Sequence, residues 1–156
     1  CELALELATG RTLERHAFGK YLSDFANMQD WIAESRIEID QARLLVLRAA
    51  WALDQTTQDA ASLRAQVSAI KVVAARLQSS VVERAMQAFG AMGLSPDTPL
   101  AYFWTWGRAL HLMDGPDEVH LRTVARHELA VARGRLGDVS AYFTTPEQLS
   151  ALPRIR

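Results

Sequence analysis

Apolar residues recur at intervals of three and four along most of this chain, the spacing of one face of an α-helix. Between residues 23 and 54, Ile32, Ser35, Ile39, Ala42, Val46, Ala49 and Leu53 form one such stripe, and Ile37, Leu44, Leu47 and Trp51 form a second. Only Arg43 and Arg48 are polar between Ala42 and Leu53. A helix that is apolar around most of its circumference needs cover on most sides. One domain of this size can hardly supply it, so part of this helix is expected to face another subunit. Between residues 60 and 89, Leu63, Val67, Ile70, Ala74, Leu77, Val81 and Ala88 mark an inward face. Leu3, Ala4, Leu7 and Ala8 have helical spacing from the first residues, predicting a helix to about residue 16 with Gly10 as its weak point. A natural N-terminus rarely opens inside an uncapped amphipathic helix, so the chain reads as a piece of a longer polypeptide.

The helix breakers agree. Pro is absent before Pro96, and Gly is absent between Gly19 and Gly90, which points to long helices. Phe18-Gly19-Lys20 predicts a turn. The short polar link at 55–59 favours an antiparallel neighbour. Residues 90–97 read as a loop. Thr98-Pro99 opens a fourth helix with Pro at its first position, and Asp114-Gly115 interrupts it. Pro116, Asp117 and Glu118 open a fifth, continuing to about residue 135. Sustained strand alternation is absent. The predicted architecture is all-α: an antiparallel, up-down four-helix bundle with an additional shorter helix over residues 1–136, followed by a surface-laid or flexible tail at 137–156.

Composition narrows the function. The chain's 156 residues suit one domain. Lys and Arg number 17 against 18 Asp and Glu, with no long run of one sign, so the electrostatic footprint of a nucleic-acid binder is missing. Cys1 is the only cysteine, which excludes an internal disulfide and fits a reducing compartment. No apolar run approaches the roughly 18 residues of a membrane span. Glu2 and Glu6 stand where a signal peptide would be cationic. The expected location is the cytoplasm, or the mitochondrion in a eukaryote.

Four segments carry the chemistry. They are Arg15-His16-Ala17-Phe18-Gly19-Lys20; Ile32 to Glu38 with Ala42-Arg43-Leu44-Leu45; Gln87-Ala88-Phe89-Gly90-Ala91-Met92-Gly93; and Asp114-Gly115-Pro116-Asp117-Glu118-Val119-His120 with Ala125-Arg126. In order and spacing they resemble the C-terminal helical bundle of the acyl-CoA dehydrogenase family. The first looks like its R-x-x-F-G-K element, the third like its Q-x-x-G-G-x-G loop. The fourth looks like its Y-E-G-T-x-Q-I-Q segment in a sub-branch with aspartate at the base position. The resemblance covers about residues 1 to 136.

It implies an FAD-dependent α,β-dehydrogenation of a fatty acyl-CoA thioester. A base removes the α proton while the β hydrogen leaves as hydride to flavin N5. Asp114 falls at the base position. Such a carboxylate needs a dry pocket that raises its pKa toward neutrality. Aspartate is one methylene shorter than glutamate, and Gly115 at the substrate-binding position permits closer approach. The bland reading of Asp114 is a capping residue in an Asp-Gly-Pro turn, and both readings can hold. The resemblance further implies that Arg15 meets the diphosphate of an FAD bound mainly by the neighbouring subunit, with Phe18 near the adenine and Leu22 beside it. Against this stand a helix-terminal cation for Arg15 and core packing for the two apolar residues. Gln87, Gly90 and Ala91 follow the same logic, since glycines let backbone amides approach a phosphate; Ala91 replaces a glycine and narrows that approach. The alternative for Gly90 is a helix C-cap. Glu118 falls where the family's Gln contacts the flavin nucleotide, or is a first-turn acid suited to the helix dipole. Pro116 replaces a Thr and loses its hydroxyl. Phe25 and Ala26 replace polar residues, so the adenine edge is held differently.

Asp117 and His120 have the carboxylate-x-x-His spacing of a di-iron bundle, but none of His16, His111 and His127 has a carboxylate three residues earlier, so no metal is expected. Trp104 and Trp106 cannot share a helix face; one is expected in the core and one at an interface. The resemblance also implies a homo-oligomer, dimer or tetramer, that passes electrons to an electron-transfer flavoprotein. Two other readings stay open: a non-catalytic helical interaction module, and a flavin monooxygenase or acyl-CoA oxidase on the same fold. The family's N-terminal helical and middle β domains, which hold the flavin ring and much of the CoA, have no counterpart here, so this chain alone is expected to be inactive.

Overall fold

Asp59 begins the longest helix by accepting a hydrogen bond from the Ser62 N–H at 3.0 Å, the side-chain cap that an uncapped helix start would lack. This helix spans Ala60–Phe89 and ends at Gly90, whose combination of φ +64° with ψ −140° favours glycine. A computed structural model describes residues 1–55 and 59–136. In chain order the helices are α1 (Glu2–Glu14), α2 (Ala26–Asp54), α3 (Ala60–Phe89), α4 (Leu100–Leu110) and α5 (Asp117–Leu136), with 3-10 turns at Leu22–Asp24 and Gly90–Leu94. The predicted tail, 137–156, lies outside the described residues.

The bundle is up-down, and its fourth arm is broken. Ser35 and Glu38 of α2 meet Arg84 of α3, whereas Trp51 and Ala52 lie beside Ser62 and Ala65, so these helices are antiparallel. Phe103 meets Gln78 and His111 meets Lys71, so α4 also runs against α3. Asp117 then meets Lys71, and His127 lies beside Ala65, so α5 continues in the same direction along the remaining length of α3. The additional shorter helix is therefore α4, the first half of this arm. The break between the halves falls at residues 111–117.

Between α1 and α2 the chain makes a hairpin of two-residue strands, β1 (His16–Ala17) and β2 (Lys20–Tyr21), pairing His16 with Tyr21 and Ala17 with Lys20. Phe18 (φ +54°) and Gly19 (φ +85°) fill its two-residue loop, the positive-φ pair that matches strand twist. The expected turn is there. It ends α1 two residues earlier than periodicity suggested, because pairing takes His16 out of the helix.

The core joins Ala4, Leu5, Ala8, Ile39, Val81, Val82, Ala85, Ala88 and Leu100. On α3 the expected inward face is partly corrected. Val67 and Ala74 are exposed, whereas Ala65, Ser68, Val72, Ala75 and Val82 are buried. Because α3 has neighbours on several sides, small residues occupy its closest contacts and no single stripe describes it. On α2 the first stripe is buried at Ser35, Ile39, Ala42 and Ala49, but Val46 and Leu53 are exposed, as is all of the second stripe. Trp104 and Trp106 are both partly exposed, so neither enters the core as expected for one of them. No helix among the described residues is long and apolar enough to cross a membrane.

Two substitutions test this packing. Leu100 is 0% exposed, so Leu100→Ala should cost about 2–5 kcal/mol in urea unfolding. A β-carbon at Gly93 would stand 2.8 Å from the Met86 carbonyl oxygen, a backbone atom, so Gly93→Ala should destabilise by about 1–3 kcal/mol although it adds one methyl group.

Candidate functional site

The break in the fourth arm is built from backbone that helices cannot use. Asp114 has φ +56° and Gly115 φ +112°, two left-handed residues in succession. Aspartate tolerates this conformation better than most residues, and Gly115 is further constrained because a β-carbon there would meet His120 Nε2 at 3.4 Å. His120 Nε2 donates to the Asp114 carbonyl at 3.3 Å. The Asp114 side chain is exposed, as is Glu118 in the first turn of α5.

Beneath the turn lies a polar network. Lys71 Nζ of α3 donates to Asp117 Oδ1 at 2.6 Å and to the His111 carbonyl at 3.1 Å. His111 Nδ1 lies 2.5 Å from Asp117 Oδ2, and its Nε2 lies 3.1 Å from Ser79 Oγ. A carboxylate accepts only, so Nδ1 carries the proton and donates to Asp117. The side chains of Lys71 and Asp117 are 14% and 13% exposed. Burial pushes the Asp117 carboxyl up, but hydrogen bonds from Lys71 and His111, reinforced by their charge, outweigh it and hold the group below the ordinary range. Asp117 is thus committed to the bundle and is neither half of a metal pair with His120 nor a free base. Among the described residues no group of three His, Cys, Asp or Glu is placed to hold a metal ion.

The remaining candidates gather toward the C-terminal end of α3. Phe18 is 94% exposed at the hairpin tip, edge-on to Phe25 at 6.5 Å. Lys20 Nζ sits 4.0 Å above the Phe25 ring. The Leu22 N–H donates to the Arg15 carbonyl at 2.9 Å, fixing Arg15 and the half-buried Leu22 to one another. Arg11, one helical turn before Arg15, lies over the Phe89 ring at 5.4 Å, which brings this end of α1 to the end of α3 where Gln87, Gly90 and Ala91 are exposed. The Gly90 N–H is taken by the Gln87 and Met86 carbonyls, so Gly90 is a C-cap, yet open space surrounds the position of its absent β-carbon. Arg15 pairs with no carboxylate among the described residues. Lys71 and Gln87 are sixteen residues apart on α3, about 24 Å at 1.5 Å per residue. Asp114, Gly115 and Glu118 therefore lie beside the middle of α3, and Arg15, Phe18, Leu22, Gln87, Gly90 and Ala91 toward its C-terminal end.

Sequence reading missed Lys71 and Ser79 altogether, and it met His111 and Asp117 only as possible metal ligands or acids. Lys71 stands 43 residues before Asp114 in the chain, and no local spacing links them.

Comparisons with known proteins give the family. The family described as acyl-CoA dehydrogenase, C-terminal domain, matches residues 1–129, and the chain belongs to that family. It is 50% identical over 129 residues to the probable acyl-CoA dehydrogenase FadE2 of Mycobacterium tuberculosis, covering 83% of this chain and 31% of that protein. It is also 50% identical over 128 residues to acyl-CoA dehydrogenase family member 10 of Mus musculus, covering 82% of this chain and 12% of the relative. The solved butyryl-CoA dehydrogenase of Megasphaera elsdenii superposes with a TM-score of 0.75 at 27% identity, over 82% of this chain and 32% of that one. The chain thus spans a third or less of the length of these relatives.

The Asp117 carboxyl sits below its unfolded value of about 3.9, so its contribution is complete above that pH and is lost as pH falls through the folded value. Asp117→Asn should lower stability at pH 7 and flatten the acid limb below about pH 4. Urea midpoints measured across that range read both effects.

Proposed function

We propose that this bundle serves an FAD-dependent acyl-CoA dehydrogenase and that Asp114 is the base that takes the α proton of the acyl thioester. The observation that carries the reading is the turn itself: a carboxylate at φ +56°, next to a glycine, at the one place where the fourth arm leaves helical geometry. Its side chain is offered outward instead of being consumed in a cap. The family's relatives named above are called acyl-CoA dehydrogenases, and this turn lies within the matched residues.

The hairpin end suits the diphosphate half of FAD. Arg15 offers a guanidinium that pairs with no carboxylate among the described residues for two-point contact with phosphate oxygens, Phe18 an exposed ring for the adenine, and Gln87 with Gly90 an uncovered backbone approach. Bound FAD would accept the β hydrogen as hydride. The chain's own part at the reacting end is to bring the Asp114 carboxylate to the α carbon and hold the proton on its oxygen. Because that carboxylate is exposed here, the dry surroundings that proton abstraction needs must come from substrate and from protein packed over the turn. The two sites lie about 24 Å apart on α3, which favours their serving flavins of different protomers. The uncovered face of α2, with Ile37, Leu44, Leu47 and Trp51 exposed, suits a second copy of the protein. Electrons would then pass to an electron-transfer flavoprotein.

In the full-length protein, Asp114→Asn should slow flavin reduction by acyl-CoA about 10²–10⁴-fold while FAD content and thermal midpoint stay within error. Reduction at near wild-type rate would place the base elsewhere, and unfolding would reduce Asp114 to its turn role. Sedimentation should give a dimer or tetramer at micromolar concentration, and Leu44→Glu with Trp51→Glu should shift it toward monomer.

A further inference from the structure

Ser79, His111 and Asp117 stand in the order of an acyl-transfer triad, but they cannot act as one. Ser79 lies inside α3, where its backbone N–H is spent in the helix. Gly107 of α4 packs against it, where a β-carbon would make ordinary contact with Ser79 Oγ at 3.6 Å. The hydroxyl is only partly exposed and is bonded to the His111 ring, and a mid-helix serine has no free N–H of its own to offer an oxyanion.

What the network does reach is the segment that carries Asp114. His111 lies three residues before it and Asp117 three residues after. The Asp117 N–H donates to the His111 carbonyl at 3.1 Å, closing the loop at its neck. Lys71 grips both sides of that neck, through the same carbonyl and the Asp117 carboxylate, and the His111 ring adds a second bond to that carboxylate. Outside the neck, Leu112, Met113 and Asp114 are exposed, so no core contact holds the tip. Its location is set by polar bonds: those of Lys71 and His111 at the neck, the Leu112 and Met113 N–H groups on the Ala109 carbonyl, and His120 on the Asp114 carbonyl. Of these, only the Lys71 bonds come from a neighbouring helix.

We propose that Lys71 and Asp117 are positioning residues for Asp114. Their ion pair, braced by His111 and Ser79, sets where the turn places the base relative to the acyl α carbon. This inference rests on Asp114 being the base. The consequence is kinetic, because a displacement of about 1 Å at a reacting group can cost about 10²-fold in rate.

The test is a double-mutant cycle in the full-length, FAD-loaded protein, reading single-turnover flavin reduction with a straight-chain panel from butyryl-CoA to palmitoyl-CoA. Asp117→Asn should slow reduction at least about tenfold, with acyl-CoA Kd from spectral titration changed less than about threefold. In an Asp114→Asn background the same substitution should cost nothing further, because the base it positions is already gone. Equal losses in both backgrounds would mark a general structural defect and overturn the proposal, as would an unchanged rate in Asp117→Asn alone. If Asp117→Asn fails to retain FAD, Ser79→Ala removes only the outer hydrogen bond and carries the same cycle, with a loss of about threefold expected and equal losses again overturning it. An Asp114→Asn protein that reduces its flavin at wild-type rate refutes the base assignment, and this inference falls with it. A slow Asp114→Asn beside an unaffected Asp117→Asn refutes the positioning role alone.

Discussion

Everything in this bundle depends on α3 being approached from several sides at once. Helix axes pack about 8–10 Å apart, the distance set by the side chains at the contact, and the buried face of α3 is rich in small residues, Ala65, Ser68, Ala75, Ala85 and Ala88. With α1 and α2 on its flanks and the two halves of the fourth arm laid end to end along it, α3 acts as the ruler against which every other element is registered. The single large cross-tie from α2, the Arg84 guanidinium on both oxygens of Glu38 at 2.7 and 2.8 Å, fixes that register with two parallel hydrogen bonds.

The same ruler explains why the fourth arm can afford a break. A helix interrupted at residues 111–117 exposes the carbonyls of one half and the amides of the other. One group from α3 meets that need, since Lys71 donates to the His111 carbonyl. Asp117 suits the positive end of α5 as well as it suits Lys71. The left-handed pair Asp114-Gly115 is thereby held in a conformation that local preference alone would rarely populate, and backbone of this kind concentrates at functional positions. The turn-forming and chemical readings of Asp114 do not compete. The aspartate that tolerates φ > 0 is also the only carboxylate at the tip.

The uncovered surfaces form a pattern. The hairpin tip at Phe18, the outer face of α2 and the turn at Asp114 all present groups that one copy of the chain leaves unsatisfied. The described core is mostly alanine and valine, with Leu5, Ile39 and Leu100, while Leu44, Leu47 and Trp51 stay in water, in a domain that spans a third or less of its relatives.

Several features were legible in the residues alone. The extents of α2 and α3 followed from three-four periodicity and from the long stretch without Gly or Pro. The hairpin loop followed from Phe18-Gly19, and the break from Asp114-Gly115-Pro116, because these preferences act within a few residues and need no partner. The family followed from four short segments in order. The phase of burial on α3 was not legible, since Val67 and Ala65 can each face inward on a helix and only the arrangement of neighbours chooses between them. Nor was the network under the turn. Lys71, Ser79, His111 and Asp117 look like scattered polar residues until α3 and the broken arm are laid antiparallel. Sequence thus determined the elements and their interruptions, which are local consequences of backbone preference. Tertiary structure alone decided which side chains meet, because a hydrogen bond across 46 residues exists only once packing has set the register.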